Sequence, residues 1–449
     1  MRHGFRRILV ANRGEIAVRI IRTCRRLGIE TVLTVSDADA GSLPARLADA
    51  VIRIGPASPA RSYLNVDAVT GAAVAAGVDA VHPGYGFSSE NPRLARACAA
   101  AGVVFIGPDA ATLEAAGDKL AARGHAVAAG LPVLPEGADA GFPVLVKAAG
   151  GGGGRGLRVV RDPAGLAAAV ALASAEADAA FGDPRVYLER YVFPARHVEV
   201  QLLGDGERVI HLGDRDCSVQ RRYQKLIEEA PAPLLRAPLR DGLHEAAVAL
   251  GTRLRYRGAG TVEFLVDTAS EAFYFLEVNA RIQVEHPVTE AVTGLDLVAE
   301  QIAIAEGRPL RLTQDDVTIT GHAIECRVNA EDPARDFMPS PGTVRRAVFP
   351  AGVRVDTHIQ AHSTVPPQYD SLLAKVIARG ADRAGALARL SAALDRCEID
   401  GVATNLRAHR TLLSGAEFAR GGVDTGYLER RLAGETAALV RADSGPSRG

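Results

Sequence analysis

The sequence predicts an α/β protein in which an N-terminal, mostly parallel sheet precedes a central unit and a mixed α+β C-terminal domain. Three observations lead there. Between Arg7 and Pro108 short apolar runs alternate with helical stretches, the βαβ rhythm of a sheet covered by helices on both faces. Five consecutive glycines, Gly150 to Gly154, fall between the apolar strands VLV and LRVV. The stretch Leu276 to Glu285, LEVNARIQVE, alternates apolar and polar residues at every step, the period of an extended strand with one wholly functional face.

At 449 residues the chain is too long for one simple core, so two or three domains are expected. Fifty-two basic against 53 acidic residues leave a net charge of -1, which gives no global field for nucleic acid or an anionic membrane. The Ala-rich run Leu166 to Ala180 is interrupted by Ser174, Glu176 and Asp178, so it is no membrane span, and Ile8 to Ala11 is too short for a secretory signal. A cytoplasmic protein is expected. The five cysteines are scattered and form no CxxC pair, which points to small buried apolar residues rather than disulfides or zinc.

In order along the chain, Ile8 to Ala11 reads as a strand, Ile16, Ile20, Cys24 and Leu27 mark one face of a helix, and Thr31 to Val35 is a second strand. A helix over Val66 to Ala76, a strand at Ala80 to His82, a helix over Pro92 to Ala101 and a strand at Val103 to Ile106 continue the series. Two polar loops follow strands, Asn12 to Glu15 and His82 to Phe87, where parallel sheets bind ligands. Each is equally well explained as a tight turn that needs glycine. In the second unit Lys147 immediately precedes the glycine run, so backbone N–H groups and one point charge could close on a phosphate, although the order of residues is not that of a P-loop. Val186 to Leu188 is a strand running into a hinge-like segment, Glu189 to Val192. His197 to Leu203 and Arg208 to Leu212 form a hairpin turning at Gly204 to Gly206. Gly213 to Pro233 is dense in charge and poor in periodicity, hence a loop or broken strand in which Arg221, Arg222 and Lys225 could collect anions. A helix over Leu243 to Arg253 leads to the strand Thr261 to Val266, a turn, and a strand from Phe273 into LEVNARIQVE. That hairpin sets Glu263 beside Glu277, and two opposed carboxylates repel unless a cation lies between them. Oxygen ligands with Asn279 adjacent suit Mg²⁺ or Mn²⁺. Beyond Gly321 come short strands, then a helix over Arg383 to Arg396, and a polar tail from Arg441 of disordered composition.

The motifs ANRGEIA (Ala11 to Ala17), HPGYGFSSEN (His82 to Asn91), GDK (Gly117 to Lys119), KAAGGGGGRG (Lys147 to Gly156), RDCSVQRRYQK (Arg215 to Lys225) and EVNARIQVEHPVTE (Glu277 to Glu290) occur in one order. With them the sequence resembles the biotin carboxylases of the ATP-grasp superfamily over nearly its whole length. The resemblance implies a Rossmann-like N-terminal domain (1–115), an ATP-grasp lid (116–192), a catalytic core (193–315), a biotin carboxylase C-terminal domain (316–440) and a tail (441–449). It implies ATP bound through Lys119, Lys147, Gly153, Gly154, Glu189, Arg190, Tyr191, Val192, His197, Tyr223, Glu263 and Glu277. Glu263, Glu277 and Asn279 would hold Mg²⁺ or Mn²⁺, with two ions expected. Bicarbonate would meet Lys225, Arg281, Gln283, Val284 and Glu285, the last as general base, and biotin would meet Arg327 and Tyr85. Arg281, Glu285, Lys225 and Arg327 would be the catalytic set.

The implied reaction carboxylates biotin carried on a separate biotin carboxyl carrier protein, using bicarbonate and ATP through carboxyphosphate, the first half-reaction of an acetyl-CoA or related acyl-CoA carboxylase. The only methionines are Met1 and Met338, so no Met-Lys-Met biotinylation site is present, and carrier and carboxyltransferase are expected in trans. A homodimer is expected. Three residues depart from the family: Ala280 for Thr or Pro, Arg190 for Lys, Tyr223 for His. The segment between Lys119 and Lys147 is also shorter than usual by about one helix. Two other functions compete with this one: a ligase making another acyl phosphate, of carbamoyl-phosphate type, and a non-catalytic nucleotide-binding paralogue with a regulatory or scaffolding role. The RIQVEHP and HPGYGF segments argue against the first, and the intact catalytic set against the second.

Overall fold

The computed structural model describes residues 4–149 and 157–433. The glycine loop, with Gly153 and Gly154, and the polar tail lie outside the described residues.

Strands β1 (Arg7–Val10), β2 (Glu30–Ser36), β3 (Ala50–Gly55), β4 (Ala80–His82) and β5 (Val104–Phe105) form a parallel sheet in the order β3-β2-β1-β4-β5. The alternation along β1 sorts its side chains between two cores. Ile8 and Val10 pack with Ile16, Ile20 and Cys24 of helix α1 (Gly14–Arg26), while Leu9 packs with Val66 and Val69 of the helix Val66–Ala76. Helices therefore cover both faces, as the βαβ rhythm predicts. β3 has no clear sequence signal because it is an edge strand with Val51 and Arg53 exposed. The two polar loops meet each other. The Asn12 amide donates to the carbonyls of Pro83 and Tyr85, both at 2.7 Å, and Gly84 sits at φ +63° where a Cβ would press on that amide.

The next unit is small: β6 (Val144–Ala148), β7 (Arg158–Val160) and β8 (Val186–Arg190) pair antiparallel in the order β7-β6-β8, backed by the helix Leu166–Phe181. A helix, Lys119–Ala128, capped by the Asp118 carboxylate, occupies the shortened segment before it. β8 runs through Glu189 and Arg190, so the hinge-like segment expected there begins as strand.

The rest is organised on one eight-stranded antiparallel sheet. Its members are β9 (Ala195–Asp205), β10 (Val209–Arg221), β11 (Gln224–Ala230), β12 (Arg257–Asp267), β13 (Phe273–Asn279), β14 (His322–Asn329) and two later strands, Leu372–Gly380 and Arg354–Thr357. The order is β13-β12-β9-β10-β11-β14, then Leu372–Gly380 and Arg354–Thr357, so the sheet is continuous across residue 315. The structure decides one expectation and corrects another. Gly213 to Pro233 is the broken strand and not the loop: most of it is β10 and β11, two buried strands turning at Arg222 and Tyr223, both at positive φ. LEVNARIQVE is not one strand: β13 ends at Asn279, and 280–285 is irregular before the helix His286–Thr293 begins. Ala280 and Ile282 are nonetheless buried, at 2% and 0% exposure, but so are Gln283 and Glu285, while Val284 is half-buried, so the alternation of residue types is not an alternation of burial. All five cysteines are free and buried, and no helix among the described residues is long and apolar enough to cross a membrane.

Candidate active site

A cleft of about 1800 Å³ lies between the lid unit, the face of the large sheet and the loops of the N-terminal sheet. Every described candidate residue lines it, from Tyr85, Lys119 and Lys147 through Glu189, Arg190, Tyr191, Val192, His197, Tyr223 and Lys225 to Glu263, Glu277, Asn279, Arg281, Gln283, Val284, Glu285 and Arg327.

Its floor is a row of acids. Glu263 of β12 is in register with Glu277 of β13, as the hairpin reading requires, and on its other side with Glu199 of β9. Three carboxylates thus stand side by side on adjacent strands, an arrangement that is unstable without cations. Lys225, reaching over from β11, supplies one: its Nζ lies 2.6 Å from Glu199 and 2.8 Å from both Glu263 and Glu285. Burial alone would lower the Lys225 pKa, but these three acids outweigh it and hold the ammonium charged well above its ordinary range. Arg215, completely buried, supplies the second cation, donating to Glu199 at 2.5 Å, Gln201 and Gln283 at 2.7 Å, Thr289 at 2.9 Å and Thr261 at 3.1 Å. His197 Nε2 lies 2.8 Å from Glu263, whose carboxylate also accepts from Asn279 at 2.9 Å and Gln283 at 2.8 Å. The donor set is hard and oxygen-rich, so Glu263, Glu277 and Asn279 fit a divalent cation of the Mg²⁺ or Mn²⁺ type, with Glu199 next in the row.

Glu285 sits at the N-cap of the helix His286–Thr293, followed by Pro287, which needs no hydrogen-bond acceptor there. One of its oxygens meets Lys225 and the other accepts from Arg327 Nη2 at 2.8 Å. Burial would raise its pKa, but Lys225, Arg327 and Arg215 reverse that and keep it ionised. Because 280–285 has left the ladder, its main chain is held by side chains from elsewhere. Glu90 accepts from the Ala280 N–H at 3.0 Å and from Arg281 Nε at 2.8 Å, and Lys375 Nζ donates to the Val284 carbonyl at 2.8 Å. Lys375 also meets Glu15, the carboxylate that accepts from the Tyr85 hydroxyl. Arg281 completes the turn by donating to Asn279 Oδ1 at 2.8 Å.

At the other end of the cleft, Lys147 pairs with Glu189 at 2.8 Å and lies over the Tyr187 ring. Burial lowers the Lys119 pKa, with Lys147 adding repulsion and Glu277 opposing it. Tyr223 stands in the β10–β11 turn at φ +65°, half exposed to the cleft. Arg221 and Arg222, expected to collect anions, are instead paired with Asp336.

Sequence reasoning missed Glu199, Arg215, Glu90, Glu15 and Lys375. Glu199 had a usable signal, since it lies two residues from His197 in a strand and so shares its face. Glu15, Glu90 and Arg215 lie inside the quoted motifs, which mark them as candidates without disclosing their partners far along the chain, and Lys375 has no local signal.

Three family models cover the chain: "Biotin carboxylase, N-terminal domain" over residues 4–113, "Carbamoyl-phosphate synthase L chain, ATP binding domain" over 116–313, and "Biotin carboxylase C-terminal domain" over 325–430. The biotin carboxylase of Pseudomonas aeruginosa is 49% identical over 95% of this chain and 98% of its own. A pyruvate carboxylase subunit of Methanothermobacter thermautotrophicus is 45% identical over 98% of this chain and 93% of its own. Among solved structures, the biotin carboxylase domain dimer of Hydrogenobacter thermophilus 2-oxoglutarate carboxylase, in complex with MgADP, ADP and bicarbonate, matches with a TM-score of 0.93. It is 40% identical, over 96% of this chain and 98% of that one.

Proposed function

This chain belongs to the biotin carboxylase family and carries out ATP-dependent carboxylation of biotin, and from that membership we propose how its cleft divides the work. ATP lies between the lid and the large sheet, with its base at Glu189 to Val192, its ribose near His197 and Tyr223, and its phosphates at Lys119 and Lys147. Glu263, Glu277 and Asn279 hold Mg²⁺ or Mn²⁺, which when bound neutralises phosphate charge and fixes the γ-phosphoryl group for transfer.

Bicarbonate is a poor nucleophile until it loses its proton, and Glu285 is placed to take it. The strong ionisation of Glu285 makes it a weak base by itself. The same cations that cause this, Lys225 and Arg327, are the ones that stabilise the dianion formed from bicarbonate, with Arg281 and Gln283 alongside. The charge they hold passes from Glu285 to the substrate as the proton moves the other way. The activated oxygen attacks the γ-phosphorus and ADP leaves, giving carboxyphosphate, and Lys119 and Lys147 meet the charge that builds on the phosphoryl oxygens. Carboxyphosphate then breaks its C–O bond to release CO₂ and phosphate. Phosphate takes the N1 proton of biotin, and the ureido anion, held by Arg327 and Arg281, forms the new C–N bond to CO₂. Closure of the lid keeps water from the carboxyphosphate.

The observation that carries this reading is the position of Lys225 Nζ, within 2.8 Å of the metal-side acids and the general base at once. It joins the phosphoryl donor site to the acceptor site. The test is ADP release with ATP, bicarbonate and free biotin, together with trapping of labelled carboxybiotin. Stimulation by biotin is expected, and its absence would overturn the reading.

The carboxyl acceptor in the cell is biotin on a separate carrier protein, and a carboxyltransferase in trans passes it to an acyl-CoA, with acetyl-CoA first among the candidates. A homodimer is proposed by analogy with the Hydrogenobacter domain dimer.

A further inference from the structure

Behind the cleft, and not opening on it, two acids face each other inside the sheet. Glu228 of β11 is directly in register with Glu325 of β14, and both are completely buried. Neither carboxyl accepts a well-aligned hydrogen bond among the described residues. The cation paired with Glu228 is Arg327, two residues beyond Glu325 on the same face of β14, while Lys375 is the stronger positive influence on Glu325. The Arg327 Nη2 nitrogen lies 2.5 Å from Glu228 and 2.8 Å from Glu285. One nitrogen is therefore divided between the carboxylate that takes the bicarbonate proton and a carboxylate with no access to substrate.

We propose that Glu228 is a positioning residue: it holds one side of the Arg327 guanidinium, keeps that cation from closing onto Glu285 alone, and so leaves it aimed at the ureido group of biotin. Arg327 has two possible partners on the enzyme and must leave one of them for substrate. A buried carboxylate that never reacts gives it a fixed anchor while Glu285 changes charge. The guanidinium can serve both because Nη2 carries two N–H bonds, one for each carboxylate. Glu325 has a different part. Two carboxyls opposed in a dry site repel each other's charge, and Glu228 is the one in direct contact with a guanidinium, so Glu325 stays protonated and Glu228 carries the charge that pairs with Arg327. Burial raises both, leaving Glu228 at about 7 with Arg327 opposing the rise and Glu325 well above the ordinary carboxylate range with Lys375 opposing it.

This inference rests on the assignment of Arg327 to biotin, and the experiment separates the two. The unaltered chain is first assayed for ATP turnover with bicarbonate alone and with bicarbonate plus free biotin; no biotin stimulation there would sink the assignment itself. Glu228→Gln is then expected to raise the KM for biotin, or lower the biotin-stimulated kcat, at least tenfold. Its KM for ATP should stay within about twofold, and its turnover with bicarbonate alone should fall several-fold less than its biotin-stimulated turnover, since Arg327 also faces bicarbonate. Glu325→Gln, which mimics a protonated acid, should keep biotin-stimulated turnover within about threefold. A normal biotin response in Glu228→Gln would overturn the proposal. So would an equal loss with bicarbonate alone, or a Glu325→Gln defect as large as that of Glu228→Gln. Should Glu228→Gln fail to fold, Glu228→Asp decides: the charge retreats by one methylene, so a several-fold loss confined to biotin is expected and an unchanged biotin response refutes.

Discussion

Replacing Glu285 with Gln removes one charge and one proton acceptor while keeping the shape of the side chain. Lys225 then still has Glu199 at 2.6 Å and Glu263 at 2.8 Å, and Arg327 still has Glu228 at 2.5 Å, so no buried cation is stranded. The cost of about 3 to 5 kcal/mol that follows from orphaning a buried charge therefore does not apply, and the variant should lose only about 1 kcal/mol of stability. Glu285 is also remote from the residues that face the nucleotide base and from Lys119 and Lys147, so ATP affinity should change by less than about threefold, roughly 0.6 kcal/mol. Turnover is another matter. A positioned general base contributes about 10² to 10⁴ in rate, and Gln cannot accept the proton, so ADP release with bicarbonate and biotin should fall about a thousandfold. Titration calorimetry for ATP beside initial rates of ADP release checks both numbers. Loss of ATP binding in step with activity would show that Glu285 serves the nucleotide, and near-normal turnover would show that another group removes the proton.

Arg215→Met should destabilise the fold by about 3 to 5 kcal/mol, read as a lower denaturant midpoint, because it takes one of two cations from the completely buried Glu199, leaving it to Lys225, and breaks hydrogen bonds to four further buried side chains. Burial holds the Lys119 pKa below its ordinary 10.5, so its charge, complete at low pH, is lost earlier than that of a free lysine as pH rises. The KM for ATP should accordingly climb on the alkaline side, and Lys119→Arg, whose guanidinium stays charged, should remove the climb. Glu277→Gln takes one oxygen ligand from the acid row and should raise the Mg²⁺ concentration for half-maximal turnover about tenfold, measured by metal titration after chelation; an unchanged requirement would place the ion elsewhere in the row.

The N-terminal sheet is legible in the sequence because its signals are local. Ile8, Leu9 and Val10 alternate between two cores, and Ile16, Ile20 and Cys24 recur at helical spacing, so a short window contains the whole argument. The hairpin opposing Glu263 and Glu277 is legible for the same reason, its turn being only a few residues long. Gly213 to Pro233 misleads because dense charge ordinarily means solvent. Arg215, Glu228 and Glu229 are instead buried in strands, each compensated by a partner elsewhere in the chain: Glu199 and Gln283 for Arg215, Arg327 for Glu228, His322 and Arg383 for Glu229.

The departure at LEVNARIQVE is more instructive, since neither its ladder nor an alternation of burial holds: Asn279, Gln283 and Glu285 are as buried as Ala280 and Ile282, and Leu276 and Val284 are half-buried. Alternation marks a strand with one face in solvent, and here both faces are covered. From Ala280 onward no strand among the described residues pairs with the segment: the Ala280 N–H goes to the Glu90 carboxylate, and the Val284 carbonyl to Lys375. Leaving the ladder is what the chemistry requires. A regular strand would keep Arg281, Gln283 and Glu285 on the plane of the acid row, each one step farther from Glu277. The turn after Asn279 instead brings Gln283 to 2.8 Å from Glu263 and sets Glu285 within 2.8 Å of the same lysine that holds Glu263 and Glu199. The proposed proton acceptor and phosphoryl site share one cation because the backbone folds back between them, so the segment proposed to carry the catalytic residues is also the one whose pairing its own sequence could not disclose.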